Sequence, residues 1–365
     1  MSKKIIFHIP LQIDTNYPSG SQIRPLRMID AFKNIGYDVD VVMGYGRERK
    51  QQIERIKKNI KNGIKYDFLY AENATSPSLL TEKNHLPLYP LMDFSFMQFC
   101  KNNNIKIGLF YRDIYWAFDD FMKELPLWKA VIIKLLQRYD LYWYKKLLNV
   151  LYLPSLKMYD YIPDKFLCQV EALPPAIVKN CLDKFEKQHN NGNIKIFYVG
   201  GIGSHYDLKM FCKVVSEFNN VEFVLCCRDK EWNLIKNEYI SFFKAGNIKV
   251  VHASGKALIK YYENADITSL YLKPYIYREF AMPVKLFEYM SFLKPIIATK
   301  GTASGTFVEE NNIGWNIKYD ENSLREFFNK INKLEINKVK NNMKLVYEQN
   351  TWEARAKKVA KDLSN

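Results

Sequence analysis

Lys285 and Glu288 stand three residues apart in the segment REFAMPVKLFEYMSFLKPIIAT, residues 278–299. That spacing puts both on one face of a helix, near its start. Pro283 suits the first turn of this helix, which the pattern carries to about residue 292 before Lys294-Pro295 leads into an apolar strand. A helix start offers unpaired N–H groups to phosphate, and an ammonium beside them adds a charge-assisted contact. A carboxylate one turn further in can accept two hydroxyl hydrogen bonds, as a ribose diol would supply. An amphipathic helix with a surface Lys–Glu pair accounts for the same residues, because K-x-x-E is common.

A second group of residues could act on a hydroxyl. Arg112 and Asp113 follow the apolar run 105–110, at the carboxyl end of a strand, where ligands of parallel sheets bind. An Asp there can orient or deprotonate a substrate hydroxyl, and Tyr115 or Trp116 can stack on a sugar face. A structural Arg112–Asp113 pair is the plain alternative. Residues 17–21, including Gly20, form a loop past the first strand. Arg24 and Arg27 then open a helix, where they either meet an anionic group or stand as exposed charges. Asp38-x-Asp40 lies within a strand pattern and Asp119-Asp120 reads as a helix cap, so no metal is expected. The six cysteines include no C-x-x-C pair and read as buried reduced thiols.

These residues need a scaffold. An apolar run over 5–13, a turn-rich loop, a helical pattern stopped by Gly36 and a strand over 37–43 open a doubly wound parallel sheet. Further strands are expected over 68–71, 105–110, 150–153 and 167–173. After a polar linker the pattern restarts: a strand over 194–199, Gly200-Gly201-Ile202-Gly203, a helix over 207–218, then strands over 221–227, 248–251, 267–271 and 295–298. Two such series in 365 residues imply an α/β protein of two Rossmann-like, doubly wound domains facing a cleft. The boundaries expected are 1–180, 190–345 and a terminal helix within 346–365.

The wording P-x-K-x-x-E-Y-M, followed by K-P-I-I-A-T, resembles the nucleotide-sugar site of GT-B glycosyltransferases, in particular the retaining family 4-like group. The resemblance covers residues 194–365 well and the first domain only in outline. It implies an enzyme, a glycosyltransferase of hexosyltransferase type, that moves a sugar from a nucleotide-sugar donor to a glycan or lipid-linked acceptor. It implies that Glu288 holds the donor ribose, with Lys285 on the phosphates. The group carries an earlier glutamate against the donor sugar; here Glu279 precedes Glu288 with eight residues between, one more than the group's spacing, which falls on Phe280. Glu279 is therefore a displaced candidate. The group also lets a glycine loop approach the donor phosphates, here Gly201 and Gly203, with His205 just beyond. Arg228, at the carboxyl end of the strand 221–227, matches a cation placed on the diphosphate, or else pairs with Asp229 or Glu231. Ser304 and Gly305, within GTASGT, suit close approach to the donor or form a plain turn. If the sugar's configuration is retained, the departing diphosphate takes the acceptor proton and no strong enzyme base is needed. If it is inverted, Asp113 is the base. Gly20, Arg24, Arg112 and Trp116 are the acceptor-side candidates.

The formal net charge of +15 is spread over both halves and favours anionic partners. No cluster of basic and exposed aromatic residues marks a nucleic-acid module, so nucleic acid is not an expected partner. A nucleotide-sugar epimerase of the same fold is the rival enzyme. The basic start has too short an apolar run for a signal peptide, and no stretch reaches the roughly 18 apolar residues of a membrane span. The expected location is the cytoplasm or the inner face of the cell membrane. Residues 125–151 combine Trp128, Val131, Ile132, Leu135 and Trp143 with Lys134, Arg138 and Lys145. Such a helix either lies on an anionic membrane or packs against its own domain. Surface polysaccharide, capsule, lipopolysaccharide or glycolipid synthesis is the expected setting, by family analogy.

Overall fold

The computed structural model describes residues 3–13, 20–123, 125–179 and 192–364. By internal contact the chain divides into two units: Met1–Pro175 together with Trp352–Asn365, and Ala176–Thr351. Each is built on a six-stranded parallel sheet, so the class is α/β, as the doubled strand–loop–helix pattern predicts.

In the first unit the strands are β1 (Lys3–His8), β2 (Tyr37–Val42), β3 (Phe68–Glu72), β4 (Lys106–Phe110), β5 (Val150–Leu153) and β6 (Gln169–Ala172). They lie in the order β2-β1-β3-β4-β5-β6, every pair parallel. β3 and β5 are buried along their whole length, as expected of strands covered by helices on both faces. β2, at the edge, instead interleaves Asp38 and Asp40 with valines, and Asp38 pairs with Lys4 at 2.8 Å. β1 stops at His8 rather than at residue 13. Ile9 still donates to the Val42 carbonyl (2.9 Å), but Pro10 has no N–H with which to continue the ladder.

In the second unit the strands are β7 (Ile194–Val199), β8 (Val221–Cys226), β9 (Ile248–Val251), β10 (Ile267–Leu270), β11 (Ile296–Thr299) and β12 (Gly314–Ile317). Their order is β12-β11-β10-β7-β8-β9, again parallel throughout. The edge strand β12 was not foreseen, because Gly-Trp-Asn-Ile carries no alternating pattern. It pairs where a Cβ on Gly314 would run into the Ile296 backbone. The helix expected over 207–218 spans only Lys209–Val215. Asp207 Oδ1 accepts from the Lys209 N–H (2.8 Å) in a local turn that delays the helix start.

In both units the strand order reverses beside the first strand, between β1 and β3 and between β7 and β10. The carboxyl ends of the strands at such a point are where open α/β sheets bind ligands. The terminal helix, Trp352–Leu363, belongs to the first unit. Its Ala356, Val359 and Leu363 are buried, and Lys358 pairs with Glu171 at 2.8 Å. Gly108 in β4 makes room for it: a Cβ there would lie 2.8 Å from both Leu363 Cδ1 and Tyr152 Cε2.

Candidate functional site

The helix carrying Lys285 and Glu288 spans Val284–Ser291, with Pro283 in extended geometry just ahead of it rather than inside its first turn. It ends because Leu293 takes a left-handed conformation (φ 51°), which turns the chain into β11. Leu286, Phe287, Tyr289 and Met290 bury one face, leaving Lys285 and Glu288 half-buried on the other. The loop after β7 passes against this face. A Cβ on Gly200 would lie 2.5 Å from Tyr198 Oη and 3.2 Å from Lys285 Cε, so only glycine lets the loop run there. Burial holds the Lys285 pKa below the ordinary lysine value, while the Glu288 carboxylate works in the opposite direction. Lys285 therefore lies beside the Gly200 backbone and within the field of the Glu288 carboxylate at the carboxyl end of β7.

Around this centre the other sequence candidates take distinct places. Gly203 needs its freedom, with φ at 135°, and pairs in an isolated bridge with Tyr206, whose ring would sit 3.1 Å from a Cβ on Gly201. Arg228 is exposed and pairs with Glu231 (2.5 Å), one of the partners considered for it. The other Glu231 oxygen accepts from Ile202 N–H (3.3 Å), which ties the glycine loop to the start of the helix Asp229–Ile235. His205 presents its carbonyl to Arg278 Nη2 at 2.5 Å, and its ring lies 6.0 Å from that of Tyr275. Glu279 ends a short turn, Ile276–Glu279, beside the same arginine. The Arg278 guanidinium lies over Tyr206 (5.3 Å) and Tyr275 (5.0 Å), a clamp that sequence reading missed although Arg278 opens the motif segment. Ser304 and Gly305 are buried in the helix Ala303–Glu310. The missing Cβ of Gly305 is accounted for by the Thr299 carbonyl and Asn316 Oδ1 packed against it.

In the first unit the acceptor-side candidates divide. Arg24 and Arg112 converge on Glu72, the last residue of β3, with Arg24 Nε to Oε1 at 3.2 Å and Arg112 Nη2 to Oε2 at 3.3 Å. Arg112 thus pairs with Glu72 rather than with Asp113, the partner of the plain alternative. Asp113 accepts from Thr75 Oγ1 at 2.8 Å, and burial raises its pKa, a direction that suits a base. Trp116 is buried and its indole N–H donates to Tyr111 Oη (2.9 Å), so its ring lies in the core rather than on a sugar. Gly20 opens the helix Gly20–Asn34, and the loop residues 17–19 fall outside the described residues. Glu72 was missed because a lone acid ending an apolar run, Phe-Leu-Tyr-Ala-Glu, has no spacing partner in the sequence.

The helix Leu127–Leu147 buries Leu141, Tyr144 and Leu147 but leaves Leu127 81%, Trp128 62% and Leu135 61% exposed, with Val131 and Ile132 beside them. Two of its basic residues are paired, Lys134 with Asp119 (2.9 Å) and Lys145 with Asp164 (3.1 Å). No helix among the described residues is long and apolar enough to cross a membrane. Among them, no group of three or more His, Cys, Asp or Glu is placed to hold a metal ion.

A family profile described as "Glycosyl transferases group 1" matches residues 182–364. Among solved structures, Anabaena Alr3699/HepE in complex with UDP and glucose is similar at 11% identity and a TM-score of 0.62, with 99% of each chain covered. Sucrose-phosphate synthase from Thermosynechococcus elongatus aligns at 12% identity and 0.59, covering 98% of both chains. WaaG, a glycosyltransferase involved in lipopolysaccharide biosynthesis, aligns at 11% and 0.57, covering 98% of this chain and 99% of its own. These likenesses show a common two-domain GT-B fold. No curated protein matches the chain in sequence.

Proposed function

Because the chain belongs to the group 1 glycosyltransferases, we propose that it transfers a hexose from a nucleoside-diphosphate sugar bound in the second unit. The observation that carries the reading is the meeting of Lys285, the Gly200 backbone and Glu288 at the carboxyl end of β7. In this reading Glu288 accepts from the two ribose hydroxyls, and Lys285 and the backbone N–H groups of the glycine loop hold the diphosphate. The C1–O bond to the diphosphate breaks and the acceptor hydroxyl oxygen bonds to C1. With retention, the departing diphosphate oxygen takes the hydroxyl proton on the same face, and Lys285 and Arg228 offset the charge that develops. The raised pKa of Asp113 supports the second reading, inversion with Asp113 as the base that takes that proton.

The HepE structure holds UDP and glucose, which makes UDP the first nucleotide to test. The acceptor is proposed to be a glycan or lipid-linked glycan of surface polysaccharide or lipopolysaccharide synthesis, the setting of WaaG. The exposed apolar face of Leu127–Leu147, continued by Arg138 and Lys146, supports docking on an anionic membrane surface. Calorimetry and thermal shift against UDP, GDP, CMP and their sugars test the donor site, with Glu288→Ala alongside. Saturable binding of one nucleotide family, lost in the variant, is the expected result. Silence across the panel would remove Lys285 and Glu288 from a donor role.

A further inference from the structure

Glu72 closes β3 at its carboxyl end and is fully buried. Besides the two arginines it accepts from Tyr70 Oη (3.0 Å). One carboxylate therefore faces two guanidiniums. The Arg24 guanidinium lies 3.5 Å from the centre of the Phe110 ring, and its Nη2 donates to the Leu173 carbonyl at 3.2 Å. A third guanidinium, Arg355 of the terminal helix, donates to the Pro174 and Pro175 carbonyls. Its pKa falls to about 10 through burial and through the charge of Arg24. Three guanidiniums thus stand against the carboxylates of Glu72 and Asp113, whose charge also acts on Arg112, in an enclosed place. Arg24 Nη1 and Arg112 Nε are buried there without an acceptor among the described residues. A buried donor without an acceptor is unfavourable, and unbalanced buried charge more so.

We infer that the first unit holds an oxyanion of the acceptor, a phosphate or a carboxylate, on Arg24 and Arg112, with Glu72 and Tyr70 fixing the two guanidiniums. The inference rests on reading the first unit as the acceptor side. The anion is assigned to the acceptor because the donor diphosphate already has Lys285 and the glycine loop in the second unit. Guanidinium forks suit this role, since their planar N–H pairs match two oxygens of a phosphate or carboxylate. Glu72 in this arrangement is an internal stand-in that holds part of each guanidinium and competes by its charge with the incoming anion, while leaving each arginine with a donor to offer.

The test is calorimetric titration of inorganic phosphate, and separately acetate, into the full chain saturated with UDP. Phosphate binding with acetate silent identifies a phosphorylated acceptor, and the reverse identifies an acidic sugar. Arg112→Gln should weaken binding at least about tenfold, and Arg112→Lys, which keeps the charge but not the fork, should weaken it less. Glu72→Gln removes the competing carboxylate and should tighten the anion. A purely structural network instead predicts a lower melting temperature in Glu72→Gln with no gain in affinity, and that outcome overturns the proposal even if an arginine variant fails to fold. Wild type that binds neither anion, or Arg112→Gln that binds as wild type does, also overturns it. UDP binding is read in the same samples, so loss of the donor reading shows separately as failure of UDP to bind the wild type.

Discussion

At the scale of single residues, the proposed donor site depends on two half-buried side chains whose removal should leave the core intact. Glu288→Ala should weaken UDP by about 2–3 kcal/mol, roughly 30- to 150-fold, the loss expected for hydrogen bonds to a charged acceptor. Its melting temperature should stay near wild type, because the side chain is not part of the apolar face of Val284–Ser291. Calorimetry checks the first and a thermal scan the second. Lys285 adds a dependence on pH. Burial lowers its pKa, so its positive charge is lost at a pH below the ordinary lysine value of about 10.4. UDP affinity should therefore fall on the alkaline side before an exposed lysine would lose its proton. Lys285→Met should bind UDP more weakly at neutral pH and show a flat profile; a sloping profile that survives the substitution would remove Lys285 from the phosphate site.

At the scale of elements, the helix Leu127–Leu147 has one structural duty and one proposed functional one. Asp140 on its inner face accepts from both N–H and Oγ of Ser78, at 2.7 and 2.5 Å, and so pins the short turn Ser78–Leu80. Burial raises its pKa to about 7. The folded protein then holds this proton more tightly than the unfolded chain, whose Asp titrates near 3.9. The stabilisation is complete below about 3.9 and is lost as pH rises through about 7. Stability measured in urea should decline between about pH 4 and 7 and level off above, and Asp140→Asn should reduce that slope. On the outer face, replacing Trp128 and Leu135 with Ser should change stability by less than about 0.5 kcal/mol, because both are exposed. The same double variant should lose binding to anionic vesicles in a flotation assay, and wild type that never floats would remove the membrane from the proposal.

At the scale of the whole molecule, the two ends of the chain meet in one unit. The terminal helix Trp352–Leu363 packs on the sheet that begins at Lys3, although the second unit lies between them in sequence. A fragment comprising residues 1–175 alone lacks that cover over β4 and should unfold at markedly lower urea than the same fragment joined to residues 352–365. Gly108→Val, which drives side-chain carbons into Leu363 and Tyr152, should destabilise by about 1–3 kcal/mol through overpacking. The loss should appear in the first unit's unfolding, with UDP binding by the second unit unchanged.

Local signals were enough for much of this. Period-two and continuous apolar runs placed eleven of the twelve strands among the described residues, missing the unpatterned β12 at a sheet edge. The spacing of K-x-x-E places Lys285 and Glu288 on one helix face because the two lie within one turn of each other, and it was the family resemblance of the surrounding segment that singled them out. What depends on distant residues was not legible. Glu72 meets Arg24 and Arg112 across separations of 48 and 40 residues, and only the order of strands β1, β3 and β4 brings them together. Tertiary packing also reassigned residues whose types suggested ligand contact: Trp116 went to the core, and Gly305 to close packing against β11. The sequence by itself determined the two sheets and the helix that carries Lys285 and Glu288, since both follow from short-range periodicity. The buried arginine pair, the glycine path beside Lys285 and the return of the terminal helix were decided by the tertiary structure, because burial and long-range pairing exist only once the sheets have formed.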